Sequence, residues 1–92
     1  DQAAYEDIRL QIPPDVRAML EERLILVEDI QQVIEFAERT RARFIDPETG
    51  HYLASHRPAS VTYWVEYSLQ NEGYLIHNAY SHRMQVGKEA QS

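Results

Sequence analysis

The residues best able to do chemistry are four histidines, His51, His56, His77 and His82, with the carboxylates Asp46 and Glu66 in the same half of the chain. Each histidine pair is five residues apart, as His51 and His56 or as His77 and His82. On a strand an odd spacing points two side chains to opposite faces, so neither pair can chelate one ion by itself. A metal or small-ligand site therefore needs one histidine from each of two hairpins: His51 or His56 with His77, supported by Glu66 or Asp46. The candidate set is His51, Glu66, His77 and His82. The chain has no HxxxH or HxH spacing, and structural zinc asks for three or four ligands. Histidines hydrogen-bonded to a sheet are the plainer expectation.

A second candidate is a carboxylate–imidazole pair. A turn at Gln70-Asn71-Glu72-Gly73 places Leu69 opposite Tyr74. Counting back pairs Tyr67 with Ile76, Val65 with Asn78 and Tyr63 with Tyr80 on one face, and Glu66 with His77 and Trp64 with Ala79 on the other. Cross-strand neighbours lie about 5 Å apart. In this register Glu66 favours the charged form of His77 and raises its pKa. Such a pair can move protons in catalysis, but it is more often an ordinary polar contact. The glycine-rich phosphate loop, the GxSxG elbow and the dinucleotide fingerprint are all missing from the sequence. Ser55, Ser60 and Ser81 have histidines near them in sequence without a defensible nucleophile–base arrangement. Arg39, Arg41, Arg43, Arg57 and Arg83 read as scattered surface charge, because alternating arginines do not share a helix face. No catalytic residue is assigned.

The aromatic residues point to interaction. Trp64, Tyr52, Tyr63 and Tyr80 are the candidates, and the Val61–Leu69 segment carries large rings on both of its faces. One face can pack on a helix; the other needs a second cover, from the front strand, from a helix or from another protein. Burial in the core is the favoured fate, and Tyr52, Trp64 and Tyr80 are the anchors if the cover is a partner.

These side chains are positioned by elements that the hydrophobic period makes readable. Ile8, Leu10 and Ile12 alternate with polar residues, which suggests a short strand within 5–12. Pro13-Pro14 ends it, and Pro14 suits the first turn of a helix. Val16, Met19, Leu20 and Leu24 make a helical stripe over about 14–23. Leu26, Ile30, Val33, Ile34 and Ala37 make a second, with Gln31, Gln32, Glu35 and Glu38 on an opposite face read as solvated. Glu28 and Asp29 at its start and Arg39 and Arg41 at its end complement the helix dipole. Phe44-Ile45, the loop Asp46-Pro47-Glu48-Thr49-Gly50 and His51 to His56 read as a hairpin. Val61 to Leu69 alternates strictly, and Tyr74 to Tyr80 returns after the turn. The expected fold is α+β: one domain with a helical front over about 13–41 and a β-meander over about 43–86. Two helices pack on a mainly antiparallel sheet of about four strands, with an extra strand available from 5–12.

Composition agrees with one small folded domain. The chain has 92 residues, 43% hydrophobic and 26% charged, with a formal charge of −6. Acidity argues against nucleic-acid binding, which needs a basic footprint. The charge is segregated: residues 1–38 hold ten acids against three arginines, and residues 39–92 hold five acids against six bases. The chain has no cysteine, which excludes disulfides, thiolate metal sites and cysteine nucleophiles. No apolar run approaches the roughly 18 residues of a membrane span, and no signal peptide is visible, so a cytoplasmic location is expected. Because the sequence opens on Asp1, a segment of a longer polypeptide is favoured.

Four stretches form a unit: Val27 to Ile34; Asp46-Pro47-Glu48-Thr49-Gly50-His51-Tyr52; Arg57-Pro58 with Val61 to Tyr67; and His77 to Met84. They resemble a small segment attached to pyridine nucleotide-disulfide or glutamate-synthase-like flavoprotein oxidoreductases of anaerobic bacteria. The resemblance covers about two thirds of the chain and implies context, not chemistry. In such proteins flavin, nicotinamide or iron–sulfur groups belong to other regions, so this segment is expected to hold no cofactor. The function expected from it is a non-catalytic accessory or docking domain, meeting a protein partner, other domains of a parent chain or a second copy of itself. The alternative is a stand-alone small-ligand or metal-binding protein that uses the histidine-rich sheet.

Overall fold

The computed structural model describes residues 4–70 and 72–83. A 3₁₀ turn, Ala4–Asp7, leads into β1 (Leu10–Gln11), α1 (Pro14–Glu22) and α2 (Val27–Thr40). Strands β2 (Phe44–Ile45), β3 (Tyr52–His56), β4 (Val61–Gln70) and β5 (Gly73–Arg83) follow. The strands form one sheet in the order β1-β5-β4-β3-β2. Neighbours pair antiparallel except β1, which lies parallel to β5. The architecture is α+β as expected, but the sheet is mixed and has five strands, not about four. The alternating segment 5–12 supplies only two strand residues, because its first half winds into the 3₁₀ turn.

Local chemistry explains the helices. Pro14 opens α1. Its end is a Schellman motif: Ile25 N–H donates to Leu20 O at 2.9 Å and Leu24 N–H to Glu21 O at 3.2 Å. Leu24 takes the left-handed conformation this motif needs, with φ 60°. It is therefore 84% exposed and does not belong to the apolar stripe, whereas Ile25 is buried against the core. At the start of α2 the Asp29 carboxylate accepts the Leu26 N–H at 3.0 Å, the reach-back half of a capping box. Leu26 thus stands outside the helix and is 61% exposed, again a correction to the expected stripe.

The remaining stripe is core. Ile30, Val33, Ile34 and Ala37 of α2 are fully buried, as is Val16 with Leu20 of α1 to within a few per cent. They meet Ala54, Val65, Tyr67, Ile76 and Ala79 from one face of the sheet. Both helices lie on that face: α1 on β5, and α2 on β3 and β4. The polar face of α2 is not merely solvated. Gln31 Nε2 donates to Ile8 O at 2.9 Å, and the Glu38 carboxylate accepts the Tyr67 hydroxyl at 2.7 Å. Glu38 also pairs with Arg43 at 3.3 Å, and Arg43 lies 4.5 Å above the Tyr52 ring. Burial first, then the Glu38 carboxylate, push the Tyr67 hydroxyl far above its ordinary range, so it stays a donor.

The β4–β5 register departs from the simple count. Leu69↔Tyr74 and Tyr67↔Ile76 pair as expected, but a bulge at Glu66/Tyr67 then places Asn78 opposite Glu66. Ala79 faces Val65, Tyr80 faces Trp64 and Ser81 faces Tyr63. The extra residue is His77, so the expected Glu66–His77, Val65–Asn78, Trp64–Ala79 and Tyr63–Tyr80 pairs do not form. Residues 84–86, included in the expected meander, lie outside the described residues. Among those described, no helix is long and apolar enough to cross a membrane.

Candidate functional site

The sheet face turned away from the helices carries the candidate chemistry. By register and alternation it presents Leu53 and Ser55 of β3, Thr62, Trp64, Glu66 and Ser68 of β4, and Leu75, Asn78, Tyr80 and His82 of β5. His77 joins this face because a bulge turns the extra residue to the same side as its neighbour. His51 reaches it from the loop, where its carbonyl accepts the Asp46 N–H at 2.8 Å and fixes the loop base.

Three of the four proposed ligand residues converge. The His51 and His77 rings, from the two sides of β4, stack at 3.6 Å between centroids with planes 5° apart. His51 Nδ1 donates to Glu66 Oε2 at 2.8 Å, and His77 Nε2 shares a hydrogen bond with Ser68 Oγ at 2.9 Å. His82 stands apart, opposite Thr62 toward the other end of the ladder. His56 turns to the helix face, where its ring lies 4.8 Å from that of Phe36. The imidazole partner of the Glu66 carboxylate is therefore His51 and not His77. Among the described residues no group of three or more His, Cys, Asp or Glu side chains is disposed to hold a metal. Stacked rings offer each other their faces, and each has one nitrogen engaged with Glu66 or Ser68.

The electrostatics of His77 also reverse the expectation. Its pKa is lowered, first by burial and then by the neighbouring His51, with Glu66 opposing but not overcoming them. The unfolded chain then binds a proton more readily than the native one at mildly acid pH, so stability falls as pH drops below the ordinary histidine range of about 6.5. His77→Gln should flatten this part of the melting-temperature profile between pH 8 and pH 5 while leaving the alkaline side unchanged. An identical acid slope in variant and parent would exclude His77 as its source.

The aromatic anchors separate. Trp64 and Tyr80 are cross-strand partners with rings 6.2 Å apart and planes 14° from parallel; Trp64 is half-buried and Tyr80 exposed. Tyr52 and Tyr63 lie on the helix face, and Tyr52 packs 5.6 Å from the Tyr67 ring. Tyr52 therefore belongs to the core and not to an interaction surface. Beside the histidines a cleft of about 340 Å³ is lined by Phe44, Ile45, Asp46, His51, Leu53, Glu66, Asn78 and Tyr80. Sequence reading missed Phe44, Leu53, Ser68 and Asn78 as parts of this region. A second cleft, about 420 Å³, lies beside the β4–β5 turn and is bordered by Arg9 and Glu72, paired at 3.6 Å. Arg39 pairs with Glu35 at 2.9 Å and Arg57 Nε donates to Ala59 O, whereas Arg41 and Arg43 meet on Glu38 and Arg43 is largely covered over Tyr52, so Arg43 departs from the expected scattered surface charge. No family model, curated protein or solved structure matches the chain.

Proposed function

We propose that the chain is a non-catalytic docking domain whose working surface is the sheet face opposite the helices. The observation that carries this reading is the two-layer arrangement itself. Both helices lie on one face, and among the described residues no element packs on the other. That other face holds the Trp64–Tyr80 stack and Phe44, which is 70% exposed. Aromatic residues of this kind are common anchors of protein interfaces. Among the described residues the serine–histidine hydrogen bond is Ser68 with His77, and Glu66, which could orient that base, is bound to His51 instead. The partner in this reading is a redox flavoprotein or another domain of the same polypeptide; the resemblance of the stretches between Val27 and Met84 supports that context. A cytoplasmic setting belongs to the same proposal.

Photo-crosslinking tests it. A benzophenone side chain at position 80 or 44, introduced in the source cell, should join this face to a flavin-carrying polypeptide, whereas one at Arg17 on α1 should not. Tyr80→Glu should weaken that complex about 10- to 100-fold, the scale of an interface anchor, without changing the melting temperature. Equal crosslinking from both faces would remove the docking surface. A specific crosslink to a protein without flavin would remove only the redox context. The cleft beside His51 favours a second reading, a small-ligand site, since its volume falls at the lower end of the roughly 300–1,000 Å³ of such sites.

A further inference from the structure

We infer that the cleft beside His51 receives a basic side chain, an arginine or lysine, presented by the docking partner; the inference rests on the docking reading and names its anchor. The cleft has walls suited to the apolar stem of such a residue: Phe44 is 70% and Ile45 61% exposed, and Leu53 is directly paired with Phe44. Tyr80 adds an aromatic face, on which a guanidinium or ammonium can rest. Two carboxylates supply the charge. Glu66 stands on the sheet with Oε2 held by His51 Nδ1 at 2.8 Å, and Asp46 stands at the loop with Oδ1 accepting the Glu48 N–H at 2.9 Å. Each is hydrogen-bonded through one oxygen, and both residues line the cleft. Among the described residues, neither arginine nor lysine lines the cleft. An anionic group would meet two carboxylates without a compensating lysine or arginine, and a neutral polar group would leave their charge unpaired. A basic side chain matches both the apolar walls and the charged floor, because its stem prefers apolar contact while its head seeks carboxylates.

The test is a heteronuclear NMR titration of this chain with four probes: a Gly-Gly-Arg-Gly-Gly peptide capped at both ends, the same peptide with citrulline or with lysine in place of arginine, and free arginine. The arginine and lysine peptides should shift the amides of His51, Leu53, Glu66 and Asn78 with a Kd on the order of millimolar, the scale of a single anchor. The neutral citrulline peptide should bind at least about tenfold more weakly. Glu66→Gln and Asp46→Asn should each reduce arginine binding by a similar factor, and two variants guard against one that misfolds. Equal binding of arginine and citrulline peptides, or no shift at these amides, overturns the inference. Free arginine binding far more tightly than the peptide overturns the partner assignment in favour of a small-molecule site. Shifts that depend on protein concentration alone, centred on Trp64 and Tyr80, identify a second copy as the occupant and also overturn it. The docking reading is judged separately, by whether position 80 crosslinks.

Discussion

Tyr67→Ala should lower the unfolding free energy by about 3–5 kcal/mol, the cost of removing a fully buried aromatic ring. Tyr67 is inaccessible to solvent. Its ring lies 5.6 Å from Tyr52 and 5.6 Å from Tyr74, the latter edge to face at 78°. The hydroxyl donates to Glu38 at 2.7 Å, and Glu38 in turn holds Arg43 over Tyr52. One residue thus joins the sheet to α2 by apolar contact and by a charge-assisted hydrogen bond. Since small domains have only about 5–15 kcal/mol in reserve, the alanine variant stands near the limit of folding. Tyr67→Phe separates the two contributions. It keeps the ring and removes the donor from a half-buried carboxylate, which should cost about 1–3 kcal/mol. Urea unfolding of Tyr67→Phe, Glu38→Gln and the double variant measures the coupling between them. Strict additivity would mean that the hydroxyl and the carboxylate stabilise nothing jointly.

The parts of this arrangement that come from one element's own period were legible in the sequence. Ile30, Val33, Ile34 and Ala37 recur at helical spacing and are all buried, and Val61 to Leu69 alternates through Val65 and Tyr67 into the core. What depends on two elements at once was not. The hidden event is the bulge at Glu66/Tyr67, and its signal was present: Ile76 and Ala79 are both core residues, yet three residues apart. A regular strand cannot bury both on one face, so one extra residue must lie between them. That residue is His77. Its displacement from Glu66 is what allows Glu66 to hold His51 while His77 stacks above. The His51–His77 contact also required the order β5-β4-β3, which alternation within a strand does not specify. Leu24 and Leu26 misled for a related reason. Their apolar character fits the helical stripe, but the Schellman turn and the start of α2 take them out of it. The parallel partner of β1 lies far along the chain, and a two-residue strand has no period to read.

Gly73→Ala should destabilise the domain by about 1–3 kcal/mol, as overpacking does, and the damage should begin at β1. A Cβ at position 73 would lie 2.6 Å from the Arg9 carbonyl oxygen and 3.0 Å from Arg9 Cβ. The obstacle is backbone, which cannot rotate away. The same Arg9 oxygen accepts the Tyr74 N–H at 2.9 Å, next to the Leu10↔Tyr74 pairing. Making room for one methyl group therefore moves the lead into β1 and weakens its contact with β5. Ile8 and Leu10 pack on the core from this segment, and the Ile8 carbonyl accepts Gln31 of α2, so the disturbance spreads to the helical layer. A loosened β1 also uncovers part of the β5 edge, and unpaired edges invite association between chains. Gly50→Ala is the control. Gly50 has φ 77° but nothing within 4 Å of an added Cβ; alanine there should cost only about 1 kcal/mol through its left-handed backbone. In hydrogen exchange, Gly73→Ala should expose the Tyr74 amide well before global unfolding, and sedimentation should show more association, while Gly50→Ala should do neither. If the two variants lose the same stability and Tyr74 keeps its protection, close packing of β1 against Gly73 is not what closes this edge of the sheet.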